Sequence, residues 1–245
     1  MARSILLSGG ADIDFMIHGV FKYKLFGQEL WITTTHVCLL IVILIILGFA
    51  VAANIVMRRA TEIPKGFQNV VELVVEKLDG MVGASMGKNA RGFRNYIGTV
   101  FIFILISNFS GLLGLRPPTA DYGVTLPLGV LTFILIHFNQ FKYQKPKAIW
   151  RDMCSPLPPW LPIWFPINII SEIAVPISLS LRLFANVLSG TVMMALIYGL
   201  LQKFALIWPA ALHVYFDLFS GAIQTYVFCM LTMTYVNNAI ESGAE

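Results

Sequence analysis

The chain reads as an all-α integral membrane protein with about five membrane-embedded helices and one amphipathic surface helix. The last two membrane segments are expected to form a long, steeply tilted antiparallel hairpin. Three observations lead there. Of the 245 residues, 57% are hydrophobic and only 12% charged, with a mean hydropathy of +0.76. One soluble core cannot bury that much apolar surface, so lipid must solvate much of it. Apolar runs of spanning length alternate with short polar or breaker-rich stretches. The last two runs are longer than a bilayer is thick.

Residues 1–34 hold Asp12, Asp14, Lys22, Lys24 and Glu29 and lack a continuous signal-type apolar core, so they read as a mature extracytoplasmic tail. Residues 35–57, THVCLLIVILIILGFAVAANIVM, are long enough to cross about 30 Å of hydrocarbon and end at Arg58 and Arg59. Within the cytoplasmic stretch 58–94, Phe67, Val70, Val71, Val74, Val75, Leu78 and Val82 recur at helical spacing. Gln68, Glu72, Glu76 and Asp79 occupy the other faces. That pattern predicts a helix lying on the membrane surface or against another subunit. Residues 95–140 form a transmembrane hairpin, with spans at 95–115 and 124–140 joined by the breaker-rich turn RPPTADYG. A Pro-rich loop at 141–165 follows, whose SPLPPWLPIWFP excludes regular helix until about residue 166.

Residues 166–202 and 208–241 make the final pair, at 166–245 with the C-terminus. As single helices they would measure about 55 and about 51 Å, so each must tilt or bend. Lys203 and Phe204 begin the turn between them, and Pro209 suits the first turn of the last helix. The segments after the first and third spans carry seven and four Lys or Arg, against three in the N-terminal tail and one in each remaining turn. The richer loops belong in the cytoplasm, which puts the N-terminus outside and the C-terminus inside. Basic residues form no stripe interleaved with aromatics, so nucleic-acid binding has no support. Cys38, Cys154 and Cys229 have no metal-ligand spacing and read as reduced bystanders. No cofactor or metal site is expected, and no phosphate-binding glycine loop is present.

Arg182 is the exceptional residue. No other basic side chain occurs between Arg151 and Lys203. A guanidinium keeps its proton, so placing it near the bilayer centre costs between about 3 and about 15 kcal/mol. A site that costly marks an ion or substrate pathway. Folding the last two helices together near residues 203–208 puts Arg182 opposite roughly 224–229, hence near Gln224. The same register puts Thr191 near Asp217, and Glu172 near Thr234 and Tyr235. Ser171, Val175, Ser178, Arg182, Asn186 and Ser189 share one small, polar face. His213, Asp217, Ser220 and Gln224 form a narrow stripe on the last helix. Glu172 lies about 15 Å along the helix from Arg182, and Asp217 about 10 Å from its level. Provided both helices are continuous, the cation must await a carboxylate from another chain.

Several sites keep a plainer reading beside the functional one. Asp217 and Glu172 are either path residues or structural carboxyls capped by hydroxyls. His213 is either a relay or a water-facing residue near the outer interface. His137 reads as interfacial rather than catalytic, and Asn108 as interhelical glue. Two other function classes were weighed. A secondary ion transporter would show an internal repeat with paired broken helices, and none is present. A membrane scaffold explains the hairpin but not the arginine.

The motifs PISLSLRLFAN from Pro176 to Asn186, the following SGTVMMALIYGLL, and IQTYVFCMLTMTYV from Ile223 to Val236 resemble subunit a of the membrane sector of F-type rotary ATP synthases. The helix order agrees across residues 35–240. The resemblance implies a stator subunit, not an enzyme on its own, that conducts H⁺ or Na⁺ through two offset half-channels. It also implies a rotating ring of c subunits and a peripheral-stalk subunit b as membrane partners, a bacterial plasma membrane as the setting, and nucleotide chemistry on other subunits. Arg182 matches the family's essential arginine, Asn186 its neighbouring asparagine and Gln224 the glutamine facing it. Asp217, His213 and Thr191 are assigned to the outer half-channel, with Asn186 between it and the ring, Glu172 to the cytoplasmic one, and Ser178 to the ion pathway. There are departures: Ala185 stands where the family reads Gly, Thr191 where some members carry Glu or His, and Val175 where Lys or Arg is frequent.

Overall fold

The computed structural model describes residues 19–25, 28–58, 60, 66–113, 115, 117–144, 164–201, 212 and 214–241. Strands β1 (Gly19–Leu25) and β2 (Gln28–Thr33) pair antiparallel. Both strands fall within the N-terminal tail, residues 1–34. Its alternation of Phe21, Tyr23 and Leu25 with Lys22 and Lys24 is a period-2 pattern that carries the strand. Helix α1 (Thr34–Met57) follows directly. Along its 24 residues only Thr35, Cys38 and Val42 are buried, while Leu40, Leu44, Leu47, Val51 and Ile55 all stand exposed. An apolar helix with so little buried is solvated by lipid.

Helices α2 (Phe67–Met86) and α3 (Ala90–Phe109) are joined by a single turn at Gly87–Asn89. Gly87 has φ of +52°, a left-handed conformation that suits glycine and ends α2 there. The expected surface helix is therefore packed along one side. Val71, Val82 and Met86 are buried, whereas Phe67, Val70, Leu73 and Val75 remain exposed. Asp79 accepts from Arg94 of α3 at 2.9 Å, and Ser85 donates to the sulfur of Met230. Helix α3 begins five residues before the expected span at 95, which brings Arg91 and Arg94 onto the helix.

Helix α4 (Tyr122–Tyr143) is capped by Asp121, whose side chain accepts from the Gly123 amide at 2.9 Å. Helix α5 (Trp164–Leu201) is a continuous 38-residue helix with Pro176 inside. Helix α6 (Gly221–Glu241) is preceded by a π-helical turn at Val214–Ser220. Five helices are long and apolar enough to cross a membrane. The turn between the last two helices, with Lys203, Phe204 and Pro209, lies outside the described residues, as does most of the Pro-rich loop.

Helices α4 and α5 run antiparallel. Tyr122 meets Phe184, Gly129 meets Pro176 and Ser180, and His137 meets Glu172. Helices α3 and α6 pair through Asn108 with Gly221 and Thr225, and Asn89 with Asn237. One apolar core joins α2, α3, α5 and α6 through Val82, Ile97, Ile104, Leu183, Phe228 and Met233. α5 thus presents Leu179 and Leu183 inward and the opposite face outward.

Candidate functional site

The outward face of α5 carries the arginine. Ser171, Ala174, Ser178, Arg182, Ala185 and Ser189 are all exposed, as are Leu181 and Leu188 beside them. Small side chains at helical spacing let another helix approach closely. Among the described residues, nothing hydrogen-bonds or ion-pairs with Arg182. Ser178 lies one turn before it on the same face. The register between α5 and the last helix is set by two contacts. Ser220 donates to Asn186 Oδ1 at 2.9 Å, and a Cβ on Gly190 would touch the Cβ of Phe216. One turn further along, that register puts Gln224 at the level of Arg182. Gln224 is only 9% exposed, and its Nε2 has no hydrogen-bond partner. A buried donor in that state costs about 1–3 kcal/mol.

At one end of the stripe, the C-terminal side of Arg182, polar groups converge. Asn108, Asn186, Asp217, Gly190 and Gly221 surround a small cavity of about 10 Å³, room for roughly one water molecule. The π-helical turn decides which way Asp217 points. The run from 208 to 241 reads as one helix that must tilt or bend, and Val214–Ser220 is wound more loosely, which inserts a residue into the turn and re-aims the side chains before it. Asp217 then lies against Gly111, where a Cβ would come within 3.2 Å of its Oδ2. Asn108 anchors the wall. It is 3% exposed, donates to the Gly221 carbonyl at 3.1 Å and to Thr225 Oγ1 at 3.4 Å, and accepts from Thr119 Oγ1 at 2.8 Å. Thr191 does not line this cavity; its hydroxyl donates to the Leu188 carbonyl of its own helix. His213 lies outside the described residues.

At the other end, the N-terminal side of Arg182, α4, α5 and α6 enclose a second cavity of about 160 Å³. Glu172 and Tyr235 both line it, at the levels expected of them, and His137 joins them from α4. Arg182 thus sits on α5 between two cavities, each holding a carboxylate. Among the described residues no cluster of three metal-ligating side chains occurs.

The family model for the ATP synthase A chain matches residues 36–237. The chain belongs to the ATP synthase A chain family. It is 35% identical over 202 residues to ATP synthase subunit a of Moorella thermoacetica, covering 82% of this chain and 87% of that protein. It is 33% identical over 237 residues to subunit a of Mycobacterium ulcerans, covering 85% and 91%. It is also 35% identical over 194 residues to the sodium-ion-specific ATP synthase subunit a of Propionigenium modestum, covering 73% of this chain and 65% of that protein. Membership makes the chain a multi-pass membrane subunit of an ion-transporting, ATP-synthesising complex.

Two residues that the sequence reading set aside belong to these cavities. Asn108, which reads from the sequence as interhelical glue, lines the Asp217 cavity, and His137, which reads as interfacial, lines the Glu172 cavity. The signal for Asn108 was an amide alone in an apolar span, which lipid would not tolerate without partners. Gly111 carried no signal at all, because only the fold shows what its missing side chain leaves room for.

Proposed function

We propose that the chain is the stationary ion-conducting subunit of the complex, facing a rotating ring of c subunits with the outer stripe of α5, and held beside a peripheral-stalk subunit b. The observation that carries this reading is the setting of Arg182: exposed among small side chains, unpaired among the described residues, and flanked by two polar cavities. A permanent cation in that place fits a carboxylate on another chain. At about 4 Å and an effective dielectric near 20, the attraction is about 4 kcal/mol, which lowers a carboxylate pKa by roughly three units. A ring carboxyl passing Arg182 must therefore release its ion.

The Asp217 cavity, with Asn186 toward the ring, serves the outer half-channel, and the Glu172 cavity serves the cytoplasmic one. Gln224 offers its amide at the level where a ring carboxylate would meet the guanidinium. Because the cavities lie on opposite sides of Arg182, an ion crosses only by riding the ring, and the guanidinium repels any cation taking a direct route. The translocated ion is H⁺ or Na⁺, and nucleotide chemistry resides on other subunits. Arg182→Ala is expected to abolish ATP-driven ion pumping by the reconstituted complex while leaving its subunit composition intact. Near-normal coupled pumping by that complex would refute the reading.

A further inference from the structure

The cavity on the N-terminal side of Arg182 contains two titratable side chains that face each other from different helices. His137 Nε2 of α4 lies 3.5 Å from Glu172 Oε2 of α5. The imidazole is fixed from its other side, with Nδ1 at 3.1 Å from the Phe133 carbonyl and the Phe133 ring 4.0 Å from its own, centroid to centroid. A carbonyl oxygen only accepts, so Nδ1 carries its hydrogen in the neutral and the cationic ring alike. Nε2 is then the nitrogen that gains and loses a proton, and it points at a carboxylate.

The surroundings favour exchange over burial. The two side chains are 25% and 33% exposed, and the cavity beside them is large enough to admit water. Gln140 of α4, Val175 of α5 and Tyr235 of α6 face the same space. Among the described residues no lysine, arginine or second carboxylate lines it, and His137, Glu172 and the Tyr235 phenol are its titratable groups. A permanent cation in the place of Val175 would keep its charge across the physiological range, whereas an imidazole ion-pairs with a carboxylate only when protonated.

We propose that His137 and Glu172 form the proton-exchange couple of the cytoplasmic path, a role that rests on the stator reading of Arg182. A proton released from a ring carboxyl passes through water to Glu172, moves from its Oε2 to His137 Nε2, and leaves from Nε2 to water at the cavity mouth. Each transfer breaks one O–H or N–H bond and forms another, the Nδ1–H bond is untouched, and the couple returns to imidazole and carboxylate. The reverse order loads the ring. The ion that such a couple carries is the proton.

The test uses inverted membrane vesicles holding the whole complex, with the cytoplasmic face toward the bath and a pH-sensitive dye inside. ATP-driven acidification is measured from about pH 5.5 to about pH 8.5, the range over which histidine ordinarily changes charge, for the parent, His137→Gln, Glu172→Gln, the double variant and Arg182→Ala. The ratio of variant to parent at each pH removes the pH dependence of nucleotide chemistry. Each single variant is expected to fall at least about tenfold below the parent, by an amount that changes with bath pH, and the double variant no further than the worse single. A ratio near one, or a uniformly reduced ratio without pH dependence, overturns the proposal, as does a parent that moves Na⁺ instead of protons. If the His137→Gln complex fails to assemble, the near-isosteric Glu172→Gln complex is judged by the same criterion. Pumping by Arg182→Ala would sink the stator reading itself; its loss alongside unchanged His137→Gln and Glu172→Gln profiles would sink only the couple.

Discussion

Placing a single methyl group on Gly129 should both loosen the bundle and weaken transport. A Cβ there would lie 2.5 Å from the Pro176 carbonyl oxygen and 3.2 Å from Ser180 Cβ. Neither obstacle can swing aside, since one is backbone and the other is attached directly to it. Ordinary contact distances are about 3.5–4 Å, so α4 and α5 must part by about 1 Å. Forcing that much into a packed crossing costs about 1–3 kcal/mol, a shift of a few degrees in thermal midpoint for a chain of this size. The functional consequence follows from the line of contacts. The same two helices meet at His137 and Glu172, already 3.5 Å apart, so a further separation of about 1 Å takes that pair past the roughly 4 Å reach of an ion pair. Gly129→Ala is therefore expected to lower the thermal midpoint of the purified complex and to slow ATP-driven pumping, and Gly129→Val to do both more severely. Removing the Ser180 side chain should not rescue either, because the carbonyl contact remains. A Gly129→Ala complex with the parent's midpoint and pumping rate would show that the backbones do not approach this closely.

Other substitutions separate buried from exposed contributions. Asn108→Leu deprives Thr119 and Thr225 of a partner inside the bundle, and should cost about 2–3 kcal/mol in a thermal unfolding assay; an unchanged midpoint would refute the assigned network. Met233→Ala empties a fully buried position in the apolar core and should cost about 2–5 kcal/mol by the same assay, more than any truncation on the lipid-facing side of α1. Asp79→Asn breaks an ion pair whose partners are 31% and 46% exposed, so solvent screening limits the loss to less than about 1 kcal/mol. A larger loss would mean that another subunit covers this pair.

The membrane helices were legible because apolar length and breaker residues act locally. THVCLLIVILIILGFAVAANIVM can satisfy its backbone in lipid only as a helix, and α1 spans Thr34–Met57 accordingly. The level of Gln224 was legible as well, since two long helices joined by a short turn leave little freedom of register. The features that escaped depend on distant parts of the chain. Nothing near His137 announces Glu172, because the register of α4 on α5 is set by the close approach of Gly129 to Pro176, and a glycine in an apolar run looks the same whether it faces lipid or another backbone. The π-helical turn at Val214–Ser220 escaped for a related reason: it sits where Ser220 engages Asn186 and Asp217 fits against Gly111, so tertiary contacts outweigh the regular helical period. Strands β1 and β2 were overlooked because they are short and charged on alternate residues.

The division between those two classes bears on how the chain works. Arg182 and the small residues around it lie on the side of α5 that is exposed among the described residues, so their spacing is written in one helix and can be read from it. The carboxylates lie in cavities that need several elements each: α3, Pro117, α5, the π-helical turn and the start of α6 around Asp217, and α4, α5 and α6 around Glu172. An ion path built this way separates two requirements. On the proposed stator reading, the fixed charge is presented to a moving surface, which a single stiff helix does well, whereas each aqueous cavity must stay open against lipid, which takes polar groups braced from several directions. Gly129 is where those requirements meet, because the close approach of α4 to α5 holds both the arginine-bearing helix and one wall of the Glu172 cavity. A change there should alter pumping without altering the charge of any residue.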